Sequence, residues 1–344
     1  MTVKRKTKVF IVDDSLLFRE TLSKELSMDN SLEVAGTASN PFDAKDKIID
    51  TQPDVLILDV EMPRMNGIEF LKRLMPQYPL PVVVVSAASK NVFESLKAGA
   101  VDFVAKPDAK SEGEFKRFIS EITIKVKIAS TAKVGNAKKP EVSRNVSRVG
   151  KPTDDYLIAI GASTGGTEAI LNVIKALPTD IPGIVIVQHM PPVFTKMYSE
   201  RLNNSCALEV KEAEDGDIVS RGRILIAPGD FQMSVLKDTN GYFVKCKKGD
   251  KISGHCPSVD VLFNSVAKVA KNRAMGVILT GMGADGAKGL LEMRRQGAHT
   301  IGQDEKSCVV YGMPMVAYNL GAVVNQVPLE NISSTIVEGV KKFA

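Results

Sequence analysis

The sequence predicts two α/β domains of unequal size, joined by a basic linker. Two observations lead to this prediction. A chain of 344 residues is longer than one hydrophobic core of ordinary size requires. Apolar runs alternate with amphipathic segments on both sides of a polar stretch, which is typical of sheets covered by helices. The expected bounds are residues 1–125 for the first domain, 126–152 for the linker and 153–344 for the second domain.

The first domain contains five repeats of a strand-like run followed by a helix-like segment. The runs are continuously apolar, which is typical of strands that are buried on both faces of a parallel sheet. We therefore predict a five-stranded parallel doubly wound sheet, with functional groups beyond the carboxyl ends of its strands. The five runs are KVFIV, EVAGTA, VLILD, PVVVVSA and DFVAKP.

In the second domain the alternation of strand and helix patterns resumes. Helix-like segments such as TEAILNVIKAL and AKGLLEMRRQ separate apolar runs, which predicts a larger α/β doubly wound domain. The segment YFVKCKK follows Asn240-Gly241, a dipeptide typical of hairpin turns, and predicts an antiparallel hairpin at an edge. The strand-like runs of this domain are YLIAI, GIVIVQH, RILIAPG, AMGVILTGM and the short run TIG after His299.

The linker prediction rests on the composition of residues 126–152. This stretch has no aromatic residue and no sustained hydrophobic period, both of which are typical of a flexible, solvated segment. It carries seven lysines and arginines against one acid, Glu141, so the rest of the chain contributes about −1 to the total charge of +5. Because neither flanking region is basic, the charge pattern argues against a nucleic-acid-binding domain.

The sequence predicts a cytoplasmic protein that is not inserted in a membrane. The basic N-terminus MTVKRKTKVFIVDD has too short an apolar run for an export signal, and the run ends in two aspartates. No apolar run approaches the length that spans a bilayer. The four cysteines are irregularly spaced, which predicts reduced thiols. They are Cys206, Cys246, Cys256 and Cys308.

Polar residues follow four of the five strands predicted in the first domain. Asp13 and Asp14 end the first strand, Asp59 the third, Ser86 the fourth and Lys106 the fifth. Carboxylates gathered at one edge of a sheet repel one another unless a cation lies among them, and oxygen ligands favour Mg²⁺. Each residue alone is better explained as a helix cap or a turn residue, but their coincidence at one edge predicts a phosphoryl-accepting site.

These residues make the first domain resemble the response-regulator receiver domains, which have a flavodoxin-like fold. The resemblance covers residues 8 to about 125 and implies that Asp59, in LILDVEMPRMNG, is phosphorylated by a histidine kinase. It implies that Asp13, Asp14 and Asp59 hold the Mg²⁺ ion needed for phosphorylation. For Phe103, the aromatic residue at the switch position, an ordinary role in the hydrophobic core stays open. The residues that match the family's switch are Ser86, Phe103 and Lys106.

The stretch AIGASTGGTEAI raises the main question of the second domain. Ser163 lies in Gly161-x-Ser-x-Gly165, at a predicted turn between a strand and a helix. The pattern matches the turn that exposes a nucleophilic serine. Small residues at such turns more often cap the helix or bind phosphate, so the motif alone leaves three interpretations open.

Two further strand ends favour the nucleophile. His189 follows GIVIVQ, and Asp285 follows VILTGMGA, so both lie at the sheet edge predicted for Ser163. A serine needs a base, and the base needs an orienting acid. We expect Asp285 to accept the Nδ1–H of His189, although Asp285 is also a candidate cap for its own helix. Backbone amides around Met282, between Gly281 and Gly283, are candidates for an oxyanion hole.

Residues 153–344 resemble the catalytic domain of the chemotaxis protein-glutamate methylesterases. The matching segments are IGASTGG, VQHMPPVFT, HCPSVDVLF and LTGMGADGAKG. The resemblance implies Ser163 as nucleophile, His189 as general base and acid, and Asp285 as the orienting residue. It places Thr164 and Met282 as candidates for substrate or oxyanion contact. The implied reaction hydrolyses γ-glutamyl methyl esters on chemoreceptor signalling helices, and many members also deamidate glutamines.

The resemblance also implies regulation and partners. A receiver fused to this catalytic domain is the family's architecture, in which the unphosphorylated receiver shields the catalytic cleft. The implied partners are methylated chemoreceptors and a chemotaxis histidine kinase, with no nucleic acid, and the esterase reaction itself is expected to need no cofactor.

Two alternatives compete with this interpretation. A response regulator with a DNA-binding or scaffolding output is the rival, but DNA-binding outputs contain a compact helical module with a basic recognition helix. Cys256 beside His255 is an alternative nucleophile, disfavoured because adjacent side chains do not readily aim at one another. Ser258 and Asp260 are expected to cap a helix and are given no catalytic role.

Overall fold

The computed structural model describes residues 5–87, 89–107, 112–135 and 155–342. The chain divides into two compact units, Met1–Ala137 and Lys138–Ala344, which we describe separately. No helix among these residues is long and apolar enough to cross a membrane. Their four cysteines are free thiols, with Cys308 buried and the other three partly buried.

The first unit is the predicted five-stranded parallel sheet, with strand order β2-β1-β3-β4-β5. Strands β3 and β4 are buried along their whole length, as expected for apolar runs in a sheet covered on both faces. The strands are β1 (Thr7–Val12), β2 (Leu32–Ala38), β3 (Val55–Asp59), β4 (Val82–Ser86) and β5 (Asp102–Ala105). The helices are α1 (Leu16–Ser27), α2 (Pro41–Thr51), α3 (Gly67–Leu74), α4 (Ser89–Lys97) and α5 (Glu112–Ala129).

Helix α5 continues into the range predicted as linker. It ends at Ala129, four residues beyond the expected boundary, because Val126 and Ala129 are fully buried and extend its apolar face. Lys127 in the same turn pairs with Asp29, with 2.6 Å between Nζ and Oδ2. Residues 136–152 of the predicted linker lie outside the described residues.

The second unit is built on a seven-stranded parallel sheet with strand order β14-β13-β12-β6-β7-β9-β8. Its strands are β6 (Leu157–Ala162), β7 (Gly183–Gln188), β8 (Glu209–Glu212), β9 (Arg223–Ile226), β12 (Ala274–Ile278), β13 (His299–Gln303) and β14 (Asn325–Val327). Its helices are α6 (Gly166–Lys175), α7 (Phe194–Asn203), α8 (Val259–Ala270), α9 (Ala287–Arg295), α10 (Met313–Asn319) and α11 (Leu329–Lys341). The doubly wound α/β class predicted for this domain is confirmed.

The predicted antiparallel hairpin is present as strands β10 (Phe231–Asp238) and β11 (Gly241–Lys248). It forms a two-stranded sheet of its own, whereas β14 and β8 are the edges of the main sheet. The hairpin stays apart because its inner side chains pack on the hydrophobic core that contains helix α8. Those side chains are Met233, Val235, Tyr242 and Val244, all buried.

Candidate functional site

Ser163 lies in the turn between β6 and α6, as predicted. Strand β6 ends at Ala162, and Gly165 caps the helix with a left-handed φ of 78° and no side-chain hydrogen bond. The Ser163 hydroxyl therefore does not cap this helix, so the capping interpretation is wrong. The hydroxyl is left available for another use.

Hydrogen bonds to neighbouring strands fix the backbone of Ser163. Its N–H donates to the Thr280 carbonyl at 3.0 Å. Its carbonyl accepts from the Gly166 N–H at 2.7 Å and from the side-chain amide of Gln188 at 2.9 Å. Gln188 is a buried residue that the sequence reasoning did not single out, although it directly precedes His189. These bonds hold Ser163 between β7 on one side and the end of β12 on the other.

Gly165 is needed both for its conformation and for its lack of a side chain. A Cβ there would lie 2.7 Å from the Cβ of Val309. Gly165→Ala is therefore expected to lower the free energy of unfolding by about 2–4 kcal/mol, from left-handed strain plus overpacking. Gly216→Ala is the matched control, because Gly216 has a φ of 88° but open space around it. Urea denaturation measures both; equal losses would contradict the packing contribution.

Ser163 and His189 occupy equivalent positions on neighbouring strands. Ala162 pairs with Gln188 in the parallel ladder between β6 and β7, and each functional residue comes next in its strand. The His189 N–H also donates to the Ala162 carbonyl at 3.1 Å, so the pairing continues to the turn. Neighbouring strands are about 4.8 Å apart, which places the two residues side by side at the carboxyl edge.

His189 and Asp285 are in direct contact, through a different nitrogen from the one expected. The bond joins Nε2 of His189 to Oδ2 of Asp285 at 2.8 Å, so the prediction that Nδ1 makes this bond is wrong. A carboxylate only accepts hydrogen bonds, so Nε2 carries the proton and Nδ1 has a free lone pair. Nδ1 is buried and makes no hydrogen bond to Ser163 or to any other residue that the structure describes. The hydrogen bond between a catalytic serine and its base often forms fully only when substrate binds.

Asp285 also caps the N-terminus of helix α8. Its Oδ1 accepts from the Ser258 hydroxyl at 2.8 Å and from the Asp260 N–H at 3.0 Å. Its Oδ2 accepts from the Val259 N–H at 2.7 Å, in addition to His189. Burial alone would raise the pKa of Asp285, but these hydrogen bonds outweigh it and hold the pKa below its ordinary value. The carboxylate therefore stays ionised beside the imidazole.

The interpretation of Asp285 as the cap of its own helix is wrong. Helix α9 is capped by Gly286, in the left-handed conformation and without a side-chain hydrogen bond. Ser258 was expected to cap α8, yet its side chain makes no capping bond and donates to Asp285 instead. Ser258 thus contacts the candidate triad, a contact that the sequence reasoning missed.

His255 is a second imidazole at this site, and the sequence reasoning placed it only in a loop. Its ring is stacked on that of His189, with 3.7 Å between centroids and 9° between planes. Burial, together with a smaller contribution from the nearby His189, lowers the pKa of His255 to about 4. His255 is therefore neutral at physiological pH.

The backbone around Met282 lies next to Ser163. A Cβ on the preceding residue, Gly281, would be 2.7 Å from the Ser163 Cβ. Met282 is exposed, whereas Thr164 is buried and its carbonyl accepts from the Thr280 hydroxyl at 3.0 Å. The amide of Met282 thus belongs to a turn adjacent to the candidate nucleophile, in accordance with an oxyanion-binding role.

Cys256 lacks the environment of a nucleophilic thiol. Burial raises its pKa above the ordinary value, and Asp230 adds to the effect. Its Sγ lies 3.5 Å from the carbonyl of Gly249, which is a weak hydrogen bond. These features favour Ser163 over Cys256 as the nucleophile.

The acidic residues of the first unit meet at the carboxyl edge of its sheet. Oxygens of Asp13, Asp14 and Asp59 lie within 4.8 Å of one another, close enough to bind one metal ion. Lys106 bridges two of them, with Nζ 2.7 Å from both Asp13 Oδ2 and Asp59 Oδ2. Burial raises the pKa of Asp13 despite this ion pair. A cluster of two buried carboxylates and one exposed carboxylate fits a hard divalent cation.

Ser86 and Phe103 lie in the strands next to this cluster. Ser86 is fully buried at the end of β4, and its carbonyl accepts from the Lys106 N–H at 2.9 Å. Phe103 is 3% exposed within β5, and Nζ of Lys125 lies 4.9 Å from the centre of its ring. Phe103 therefore has the surroundings of a core residue here, the alternative that the sequence left open.

The chain is similar in sequence to two known protein families. The family model for CheB methylesterase matches residues 158–336, more than half of the chain. The chain belongs to the CheB methylesterase family. A second model, for the response regulator receiver domain, matches residues 9–114.

The chain resembles CheB-family relatives along nearly its whole length. A protein of Syntrophomonas wolfei named protein-glutamate methylesterase/protein-glutamine glutaminase 2 is 58% identical over 334 residues, 96% of this chain and 97% of the relative. A Syntrophotalea carbinolica protein with the same name but no number is 51% identical over 344 residues, 97% of this chain and 98% of the relative. The crystal structure of the Thermotoga maritima CheB methylesterase catalytic domain is 40% identical, with a TM-score of 0.52, and covers 53% of this chain and 97% of its own.

Proposed function

We propose that this chain is a phosphorylation-controlled methylesterase that hydrolyses glutamyl methyl esters of chemotaxis receptors. The observation that carries the proposal is the His189–Asp285 hydrogen bond of 2.8 Å beside the Ser163 turn. Membership of the CheB family supplies the substrate class, since the relatives are named protein-glutamate methylesterases. We assign receiver function to residues 1–125, a tether to 126–152 and catalysis to 153–344, in the cytoplasm.

The acylation step uses Ser163 as the nucleophile. Its Oγ attacks the ester carbonyl carbon while Nδ1 of His189 takes the hydroxyl proton. His189 becomes positively charged, and the buried carboxylate of Asp285 stabilises that charge through Nε2–H. The protonated Nδ1 then gives the proton to the methoxy oxygen as the bond from carbon to that oxygen breaks. Methanol leaves, and the glutamyl group remains esterified to Ser163.

In the deacylation step, water takes the place of Ser163 as the nucleophile. Nδ1 of His189 takes a proton from water, the hydroxide attacks the acyl carbon, and the Ser163 oxygen leaves with that proton. The product is a glutamate carboxylate. A glutamine side chain forms the same acyl-enzyme with ammonia as the leaving group, so glutaminase activity requires no additional residues.

Negative charge on the carbonyl oxygen develops in both steps. We assign its stabilisation to the backbone amide of Met282, and substrate or oxyanion contact to Thr164. The adjacency of Gly281 to Ser163 supports this assignment. A backbone donor fixed at such a position stabilises the tetrahedral intermediate without reorganisation during the reaction.

In the receiver we assign Asp59 as the phosphoryl acceptor and a histidine kinase as the donor. Asp13, Asp14 and Asp59 would hold Mg²⁺, and their proximity supports this. When bound, magnesium neutralises charge on the transferred phosphoryl oxygens. Lys106, which contacts Asp59, pairs with the phosphoryl group, and the Ser86 hydroxyl donates a hydrogen bond to that group. We assign Phe103 as the aromatic residue that responds to phosphorylation.

Phosphorylation should depend on Asp59 and should accelerate esterase activity. We expect Asp59→Asn to incorporate no phosphate from acetyl phosphate and Mg²⁺, because an amide is not a phosphoryl acceptor. The variant should keep basal methanol release from methylated receptor membranes but lose the stimulation by acetyl phosphate. Radiolabel incorporation and methanol release measure the two effects.

Asp54→Asn is the matched control, because Asp54 lies just before β3, at the edge opposite Asp59, and pairs with Arg5. It should retain both labelling and stimulation. Stimulation that persists in Asp59→Asn would contradict the proposed control. A chain that binds DNA in a salt-dependent manner but releases no methanol would favour the rival, a non-catalytic output.

A further inference from the structure

His255 lies at the active site without a role in the reaction as derived above. Its ring covers one face of His189 at a centroid distance of 3.7 Å, nearly parallel. We propose that His255 is a positioning residue, whose stacked ring fixes the plane of the His189 imidazole so that Nδ1 faces the serine. The inference rests on the proposed role of His189 as the base.

The His189–Asp285 hydrogen bond leaves the imidazole of His189 free to rotate, and ring stacking can restrict that rotation. The bond holds the ring at Nε2, the atom farther from the backbone, but does not by itself fix rotation of the ring plane. The nearly parallel contact with His255 restricts that rotation on one face. A small error in the aim of a base lowers its rate steeply, since about 1 Å of misplacement costs about 100-fold.

His255 is itself held by a short, tight turn. Ile252 and His255 exchange backbone hydrogen bonds of 2.9 and 3.0 Å, and the two residues between them are Ser253 and Gly254. Both have left-handed φ values, of 54° and 86°. This combination is typical of a two-residue type I′ turn, which rigidly orients the residues that flank it. The ring of His255 is thus presented from a fixed backbone.

Gln232 on β10 clamps the segment that carries this turn. Its Nε2 donates to the carbonyls of Asp250 at 3.0 Å and His255 at 3.2 Å. Its Oε1 accepts from the N–H of Ser258 at 2.9 Å. The Ser258 hydroxyl in turn bonds Asp285, so residues 250–258 contact both His189 and its orienting acid. Residues 250–258 therefore help to position two members of the triad, His189 and Asp285.

A neutral imidazole suits the role better than a charged one. His189 acquires a proton during acylation, and a second cation stacked on it would oppose that step. Burial keeps His255 neutral, with a pKa of about 4, and His189 and Lys251 disfavour its protonation while Asp285 favours it. A neutral aromatic face next to a cation is mildly attractive. Two imidazoles in contact thus take different roles, because their surroundings differ.

The test measures how fast Ser163 is activated, without a receptor substrate. A fluorophosphonate phosphonylates an activated serine with loss of fluoride, and its labelling rate reports the serine and its base. We expect His255→Ala to reduce both the labelling rate and kcat for methanol release by about 10–100-fold, with KM nearly unchanged. His255→Phe keeps a planar ring and should restore both to within about threefold of the unsubstituted chain.

His299→Ala is the matched control, because His299 begins β13 and so lies at the opposite edge of the sheet. It should label at the unsubstituted rate. Labelling of His255→Ala at that rate, or equally slow labelling of the Ala and Phe variants, would overturn the inference alone. Absence of Ser163 labelling in the unsubstituted chain would overturn the nucleophile assignment and this inference with it. Rescue by phenylalanine also separates positioning from a loss of folding, which thermal unfolding checks independently.

Discussion

Replacing Ser163 by alanine is expected to reduce methanol release from methylated receptors by about 10⁴-fold or more. The substitution removes the only atom that forms the acyl-enzyme, so the remaining rate comes from attack by water within an otherwise intact site. Folding should be unaffected, since the hydroxyl caps no helix and the bonds that fix this turn involve the backbone N–H and carbonyl of Ser163, not its hydroxyl. Methanol release and circular dichroism measure the two quantities.

The control for this substitution is Ser334→Ala on helix α11, where the exposed hydroxyl donates to the Asn331 carbonyl at 2.8 Å. It should have full activity. A Ser163→Ala protein that is folded and retains more than about a tenth of the original rate would refute the nucleophile assignment.

Asp285→Asn is expected to lower activity by about 10⁴-fold and also to destabilise the second unit. Each carboxylate oxygen accepts two hydrogen bonds, Oδ1 from Ser258 and Asp260, Oδ2 from His189 and Val259. With the amide NH₂ at the Oδ1 position the bond from the Asp260 N–H is lost, and with the NH₂ at the Oδ2 position the bond from the Val259 N–H is lost. In the second orientation His189 also loses the acceptor for its protonated Nε2. Methanol release and urea denaturation measure the losses.

The stability loss should depend on pH in a defined direction. Because the pKa of Asp285 is lower in the folded chain than its ordinary value, its carboxylate stabilises the fold above about pH 4. That contribution disappears as the pH falls through the lowered folded pKa. The difference in unfolding free energy between the unsubstituted chain and Asp285→Asn should therefore be larger at pH 6 than at pH 3. A difference that is the same at both pH values would contradict this account.

The exposed Asp238 in the hairpin turn provides the control for this pair of measurements. Asp238→Asn keeps the Oδ1 that accepts from the Asn240 N–H at 2.7 Å, so both activity and stability should change little. A large loss in this variant would show that carboxylate replacement in the second unit is generally damaging and is not specific to Asp285.

The sequence predicted which residues meet because parallel strands share a carboxyl edge. That rule placed Ser163, His189 and Asp285 together, and it placed Asp13 beside Asp59, without knowledge of side-chain geometry. The continuous apolar runs in the sequence also predicted the buried strands. Strands β8 and β14 were missed because their sequences, EVKE and NQV, are short and polar, as edge positions permit.

Side-chain partners across distant elements were beyond the reach of the sequence. Asp285 lies 25 to 27 residues from the three groups at the start of α8 that bond it, and no local pattern reports that contact. For the same reason the nitrogen of His189 that meets the acid was predicted wrongly. His255 was grouped with ordinary loop histidines, because stacking on another ring leaves no periodic signal. The signal that existed was positional, since HCPS directly precedes the helix that Asp285 caps.

The capping of α8 by Asp285 joins two properties that are usually adjusted separately. Three of the four hydrogen bonds to the Asp285 carboxylate come from the start of this helix, and the fourth orients the His189 imidazole. Local fraying of the helix start therefore also disturbs the base. Helix α8 also packs on the β10–β11 hairpin, which extends the dependence to that sheet. A substitution that loosens this corner should therefore abolish turnover at temperatures where the rest of the unit is still folded. Heat inactivation would precede heat denaturation.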